Sequence, residues 1–199
     1  MGEHYFTENP EVEHDRRDIE GNLLGKNYTF TTDAGVFSKT RIDRGSELLV
    51  EAMKFDPDAK VLEIGCGYGP MGIAAADMAY NGQVTMVDIN QRAVDLTKEN
   101  LRRNSINNAQ AFVSNGFENV EDQDYDVILM NPPIRAGKKV IYPLVEETVK
   151  HLKKGGVFYT VCMTRQGAKS LAKHMKTVFP VVEEVKKGSG YRVYRAIKK

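Results

Sequence analysis

Lys60-Val61-Leu62-Glu63-Ile64 runs straight into Gly65-Cys66-Gly67-Tyr68-Gly69, and an alanine-rich stretch from Met71 to Met78 follows at once. A short apolar run, then closely spaced glycines, then a helical segment is the signature of a buried strand that turns sharply into a helix. The glycines let the backbone reverse and approach a ligand with no Cβ in the way. Such a unit constrains the rest of the chain, because its strand must be flanked by others and its faces covered by helices.

The remaining sequence supplies those partners. Val84 to Val87 reads as a second strand ending in Asp88, and Gln91 to Arg103 as an amphipathic helix through Ala93, Val94, Leu96 and Leu101, with Asn90 as its cap. Ala109 to Val113 is a third strand ending at Ser114-Asn115-Gly116, and Tyr125 to Met130 a fourth, stopped by Asn131-Pro132-Pro133. A helix is expected from about Tyr142 to Lys154, closed by Gly155-Gly156, then a strand from Val157 to Met163 and a helix from Gln166 to Phe179. Val181 to Lys186 and Tyr191 to Ile197 read as a hairpin about Lys187-Gly188-Ser189-Gly190.

Upstream, Tyr28 to Thr32 alternates like a half-buried strand and ends at Asp33-Ala34-Gly35. Gly45 to Met53 has helical spacing, with Ser46 or Asp43 as cap. Residues 1–26 mix charges with little periodicity and are expected to form an irregular N-terminal arm, partly ordered by docking, ahead of a single domain over 27–199. The expected class is α/β: a doubly wound, mostly parallel sheet to which the terminal hairpin adds antiparallel edge strands.

Composition narrows function only a little. With 28 Lys+Arg against 27 Asp+Glu, the net charge of +1 excludes a uniformly basic nucleic-acid coat but says nothing about local patches. Cys66 and Cys162 are isolated, so neither a disulfide framework nor a cysteine metal site is expected. The charged N-terminus does not read as a secretory signal and no apolar run is long enough to span a membrane, which points to a cytoplasmic protein without metal or membrane attachment.

In a doubly wound sheet, ligands bind beyond the carboxyl ends of the strands. Gly65, Asp88, Asn115 and Asn131 follow four consecutive strands, so together they mark a site. The spacing Gly65, Gly67, Gly69 followed by Pro70 does not match a dinucleotide fingerprint, which needs a small residue where proline stands. Asp88 falls about 20 residues beyond the glycine loop, the distance at which an acidic strand end accepts hydrogen bonds from ribose hydroxyls; its alternative role is a helix cap.

Asn131-Pro132-Pro133-Ile134 is the most specific segment. Two prolines stiffen the loop and remove two N–H donors. The Asn131 amide oxygen and the Pro132 carbonyl could then accept both hydrogens of one amino group and hold its nitrogen towards an electrophile. For a weak, delocalised aromatic amine, orientation and proximity would supply much of the acceleration. The bland alternative is a loop that simply ends a strand.

Taken with Val61 to Gly69, Val87-Asp88-Ile89-Asn90, Ser114-Asn115-Gly116-Phe117 and Gly35-Val36-Phe37-Ser38 continued by Asp43 and Gly45-Ser46, this loop resembles the class I, Rossmann-like S-adenosylmethionine-dependent methyltransferases. Within them the chain is similar to the small-domain group related to bacterial 16S ribosomal RNA guanine-N2 methyltransferases, over a match from about Tyr28 to the C-terminus. The resemblance implies a seven-stranded sheet with a reversed terminal hairpin, S-adenosylmethionine as cofactor, and transfer to guanine N2 of small-subunit ribosomal RNA. It implies that Glu63, Gly65 and Gly67 line the methionine part of the cofactor, that Asp88 takes the ribose and that Asn115 and Gly116 sit beside the adenine, with Gly69, Ile89 and Asn131 also among the cofactor-binding residues. Asn131, Pro132 and Pro133 would meet the reacting amine. Many amino-directed relatives carry an aromatic residue after the prolines, where this chain has Ile134; Ile134 is expected to meet the substrate with a weaker stack, and Phe37 is the candidate replacement for stacking on the base. Arg135, Lys138 and Lys139 follow the loop and are candidates for RNA phosphate, though such a cluster is more often a solvated loop. The well-known ribosomal enzymes of this group also have an additional N-terminal half that is not present in these 199 residues.

Two further readings stay open. The same loop chemistry serves adenine N6 or a protein glutamine, and an RNA-binding ribosome-assembly factor could hold the cofactor structurally. A nicotinamide oxidoreductase is more distant. His4, His14, His151 and His174 are expected on surfaces or in packing.

Overall fold

Main-chain pairing in the computed structural model, which describes residues 12–199, begins earlier than the sequence suggests. β1 (Arg17–Leu23) pairs antiparallel with β2 (Lys26–Thr32) across Leu24-Gly25, both at positive φ, so part of the segment expected to be an irregular arm is a strand. The pattern hid it because β1 is mostly exposed, RDIEGNL turning only Ile19, Gly21 and Leu23 inward, and Leu24 is an uncommon first residue for a turn usually marked by Asn-Gly. The hairpin straddles residue 26, where the arm was expected to end.

The other elements are α1 (Arg44–Ala52), β3 (Lys60–Ile64), α2 (Pro70–Met78), β4 (Gln83–Asp88), α3 (Gln91–Arg103), β5 (Ala109–Val113), β6 (Tyr125–Met130), α4 (Lys138–His151), β7 (Leu152–Met163), α5 (Ala168–Val178), β8 (Val181–Gly188) and β9 (Tyr191–Ile197). The large sheet has seven strands in the order β5-β4-β3-β6-β7-β9-β8; the first five are parallel, and β9 enters antiparallel between β7 and β8. This is the doubly wound sheet with a reversed terminal hairpin that the sequence implied.

Two cores lie on its faces. Along β6, Val127 and Leu129 join the core with Leu48, Ile73 and Val94 of α1 to α3, while Ile128 and Met130 join the one with Val145 of α4 and Leu171 and Met175 of α5. That alternation is the period of two of a strand buried on both sides.

Two boundaries differ from expectation. α4 starts a turn earlier than Tyr142, after Gly137 at φ 80°, and carries Pro143 within its second turn rather than at its start. It also ends at His151, so Gly155-Gly156 does not close it. These glycines sit in β7 at a break of register with β6, where Gly155 N–H donates to Lys198 O (2.8 Å) and Lys198 N–H to Gly156 O (3.0 Å). A helix-closing signal and an irregular strand start look alike in sequence because both need a residue at positive φ.

The N-terminal hairpin is held by side-chain amides. Asn100 of α3 accepts from Thr31 N–H (2.7 Å) and donates to the carbonyls of Thr31 (3.0 Å) and Tyr68 (2.8 Å). One turn on, Asn104 accepts from Thr29 N–H (3.1 Å) and donates to Thr29 O (2.8 Å). The helix thus completes the free edge of β2 as a neighbouring strand would, and ties it to the glycine loop. Asn100 is fully buried. Asn100→Leu leaves those backbone groups unpaired and is expected to lower unfolding free energy by about 3 kcal/mol, read as a shift of the urea midpoint without loss of slope.

Candidate functional site

Strand register assembles the site. β3 pairs with β4 through Ile64 and Val87 and with β6 through Ile64 and Met130, so Gly65, Asp88 and Asn131 each lie one residue past aligned positions. Asp88 aligns with Val113 of β5, which brings Asn115 to the same edge. There the connections leave to opposite faces, since β3 runs on to β4 and β6 to β7. A cavity of about 340 Å³ opens at this point, within the range of small-molecule sites, lined by all four strand ends and by the loop Val36-Phe37-Ser38.

On the β3–β4 side the glycine loop wraps the strand ends. Gly65 N–H and Cys66 N–H both donate to Val87 O (2.8 and 3.0 Å). A Cβ on Gly65 (φ 75°) or Gly67 (φ 58°) would meet no atom within 4 Å, because both positions face open cavity. Asp88 accepts from Gly67 N–H at Oδ2 (2.8 Å) and from Asn90 N–H at Oδ1 (2.9 Å). Burial pushes its carboxyl above the usual range, and the N–H groups of Asn90, Gly67 and Ile89 oppose that shift. Asn90 itself caps α3, accepting from Arg92 and Ala93 N–H (3.0 and 3.4 Å), so Asp88 is not the cap.

Glu63 turns towards α2 and is 1% exposed. Its Oε2 has no hydrogen-bond partner among the described residues, and Gly72 leaves the room it occupies: a Cβ there would lie 2.4 Å from that oxygen. Desolvation pushes its carboxyl well above the ordinary carboxylate range and so weakens it as an acid; the Gly72 N–H pulls the other way and the negative Asp88 adds to the rise. An orphaned buried acceptor on a cavity wall fits a ligand carrying a positive or hydrogen-bonding group.

On the β6 side, Asn131 is half-buried. Its Nδ2 donates to Asp43 Oδ2 and to Ser46 Oγ, each at 3.0 Å, leaving Oδ1 without a partner among the described residues. Asp43 caps α1 by accepting from Ser46 N–H (3.1 Å), and takes the Tyr191 hydroxyl on its other oxygen (3.2 Å). Pro132 and Pro133 line the same wall.

Of the residues singled out in the sequence, the cavity brings together Phe37, Glu63, Gly65, Gly67, Asp88, Ile89, Asn115, Gly116, Asn131, Pro132 and Pro133. Gly69 falls outside it, at the start of α2 (φ 98°) against Met86 and Thr97. Ile134 also departs from expectation: it packs into the α4–α5 core, so the position of the relatives' aromatic residue adds no wall here. Lys138 reaches over the Tyr142 ring (5.9 Å), and the side chain of Arg135 lies outside what the structure describes. The lining adds Val140 and Leu144, which no sequence pattern marked, Tyr68 from the glycine loop, and Asp43 and Ser46, seen beforehand as candidate caps and as part of the family-like segment. Among the described residues, no histidine lines the cavity, and no three His, Cys, Asp or Glu gather as a metal site. No helix among the described residues is long and apolar enough to cross a membrane.

Glu63 gives a test of this geometry. Its folded-state value is raised, so the proton is bound more tightly in the native state and ionising it above the unfolded value, about 4.3, costs stability. Glu63→Gln is therefore expected to raise the melting temperature of the ligand-free protein at pH 7 to 8, with the gain shrinking to nothing as pH falls below about 4. Calorimetric scans across that range check it.

The chain matches the model of the methyltransferase small domain over residues 27–195. It is 40% identical to the uncharacterised protein YbxB of Bacillus subtilis over 201 aligned positions, covering both chains fully. It is 33% identical over 135 positions to ribosomal RNA small subunit methyltransferase C of Haemophilus influenzae, covering 66% of this chain and 40% of that one. Among solved structures it superposes on the T. thermophilus 16S rRNA N2 guanine methyltransferase bound to AdoMet and guanosine, with a TM-score of 0.84 at 28% identity over 96% of this chain and 52% of that one. It therefore spans about half the length of the named ribosomal enzymes it matches. Sheet order, strand-end cavity and family match agree: the chain belongs to the methyltransferase small-domain family.

Proposed function

We propose that this protein transfers a methyl group from S-adenosylmethionine to an exocyclic amino nitrogen, namely N2 of a guanine in small-subunit ribosomal RNA, as a cytoplasmic enzyme. The observation that carries this reading is the Oδ1 of Asn131, without a partner among the described residues, on the cavity wall beside the proline-stiffened loop. An amide fixed with its oxygen outward accepts hydrogen bonds, so it selects a group with hydrogens to give. An amino group fits; a carbonyl or ether oxygen does not. The similarity to enzymes named for ribosomal RNA methylation supports guanine in ribosomal RNA as the substrate.

The cavity residues suit the cofactor. Glu63, Gly65 and Gly67 would hold its methionine part, where the orphaned carboxylate oxygen answers an ammonium group and the two glycines leave room. Asp88 would take the ribose hydroxyls, with Ile89, Asn115 and Gly116 beside the adenine. When bound, S-adenosylmethionine supplies an electrophilic methyl on a sulfonium. Asn131 Oδ1 and the Pro132 carbonyl would take the two hydrogens of the target amine and align its nitrogen, while Pro133 keeps the loop from yielding. No basic side chain is needed beside Asn131, because the nitrogen becomes acidic once alkylated and releases its proton to water. Phe37, exposed and lining the cavity, would offer the ring that Ile134 does not, and Lys138 with the neighbouring Arg135 and Lys139 would meet phosphate.

Labelled methyl transfer to naked 16S RNA, small subunits, DNA and protein extract tests the reading. Label is expected in small-subunit RNA or the subunit, resolving by mass mapping to N2-methylguanine; label confined to DNA or protein would overturn the substrate. Asn131→Ala should cut turnover by about 10² to 10³-fold and leave cofactor affinity, measured by calorimetry, within twofold. Wild-type protein that binds the cofactor yet modifies no RNA would support an assembly factor instead.

A further inference from the structure

The two ends of a carboxamide are nearly the same size, so an asparagine on a cavity wall turns either way unless its neighbours distinguish oxygen from nitrogen. With Nδ2 inward, Asn131 would set a donor against a donor. Its surroundings decide the matter: an ionised carboxylate only accepts, and the Asp43 oxygen and Ser46 Oγ both stand 3.0 Å from Nδ2. Asp43 is itself held at both oxygens, by Ser46 N–H on one (3.1 Å) and the Tyr191 hydroxyl on the other (3.2 Å). The network joins the start of α1, the end of β6 and the first residue of β9. Gly45 has no room for a side chain beside it, since a Cβ would lie 2.8 Å from Asp43 Oδ2 and 2.9 Å from the Tyr191 ring.

We propose that Asp43, supported by Ser46 and Tyr191, is a positioning residue that fixes the polarity of the Asn131 amide and so makes the cavity wall an acceptor for an amine. This deepens the reading under Proposed function and rests on it. Burial, then the Asp43 charge, push the Tyr191 phenol above its usual range, so it stays protonated and remains a donor to Asp43. The antiparallel β9 thereby serves the reacting end of the cavity through its first residue.

Asp43→Ser keeps a good helix cap but is too short to reach Asn131, whereas Asp43→Asn keeps both the cap and an acceptor. Asp43→Ser is expected to lower kcat by about 10 to 100-fold, the scale of a misplaced catalytic group, with cofactor affinity unchanged and most of the rate restored in Asp43→Asn. Asn131→Asp alone sets two carboxylates face to face and should lose activity; combined with Asp43→Asn, which can donate, it should recover at least about tenfold.

A readout without turnover separates the two ideas. The side-chain NH2 resonances of Asn131, identified by their loss in Asn131→Ala, should be slow to exchange in wild type and Asp43→Asn and fast in Asp43→Ser. Full kcat and unchanged amide exchange in Asp43→Ser would overturn the positioning role, as would a double variant no more active than Asn131→Asp. If wild type methylates no amine while the exchange pattern holds, the proposed reaction fails and the positioning of the amide stands.

Discussion

β3 is hydrogen-bonded to β4 on one edge and β6 on the other, and the shared register through Ile64 determines which side chains meet. A parallel pair that slips by one residue turns every side chain to the opposite face. Here such a slip would carry Asn131 away from the glycine loop and Glu63 out from under Gly72. Register is fixed by the two cores, because Val61 and Leu62, or Leu129 and Met130, can be exchanged between faces only by burying each against the wrong helices. The chemistry at the strand ends thus follows from apolar packing several residues away.

Once the strand ends are set, the two sides of the cavity are finished differently. On the glycine side, backbone N–H groups and buried carboxylates dominate, and the carboxyls become weaker acids because water is excluded. On the asparagine side, Asp43 and Ser46 at the start of α1 hold one amide, Tyr191 of β9 holds Asp43, and the prolines remove competing donors. The loop carrying Val36-Phe37-Ser38 is tied down from the start of α3 and from β2: Asn90 donates to Gly35 O (2.9 Å), Arg92 to Ala34 O (2.7 Å) and Thr32 to Lys39 O (2.6 Å).

The sheet and the cavity at its strand ends were legible because they rest on periodicity and on glycine and proline, which speak locally. α3, β5, β6 and β9 have the bounds their patterns implied. β1 was not legible, because a mostly polar strand on a small hairpin has little apolar alternation to display. α4 was misplaced at both ends: it starts a turn before Tyr142, after Gly137, and the Gly155-Gly156 signal read as its close belongs to β7. In the site, Asn131 announced itself, but its partners did not: Asp43 and Tyr191 stand 88 and 148 positions from the residues they bond across the fold, and a cap explains Asp43 well enough by itself. Ile134 shows the converse, a position suggested by a motif and claimed by the core.

The attachment of β2 to α3 has a consequence for how the molecule tolerates its surroundings. Asn100 and Asn104 are neutral and do not titrate, so neither added electrolyte nor a change of acidity weakens their hold on Thr29 and Thr31. Ion pairs around the same hairpin, such as Arg16 with Glu99 and Lys26 with Asp77, lie at the surface and would fade in brine. A scaffold fastened by amides can therefore sit beside a dense polyanion and its cloud of cations without its own fastenings being competed away.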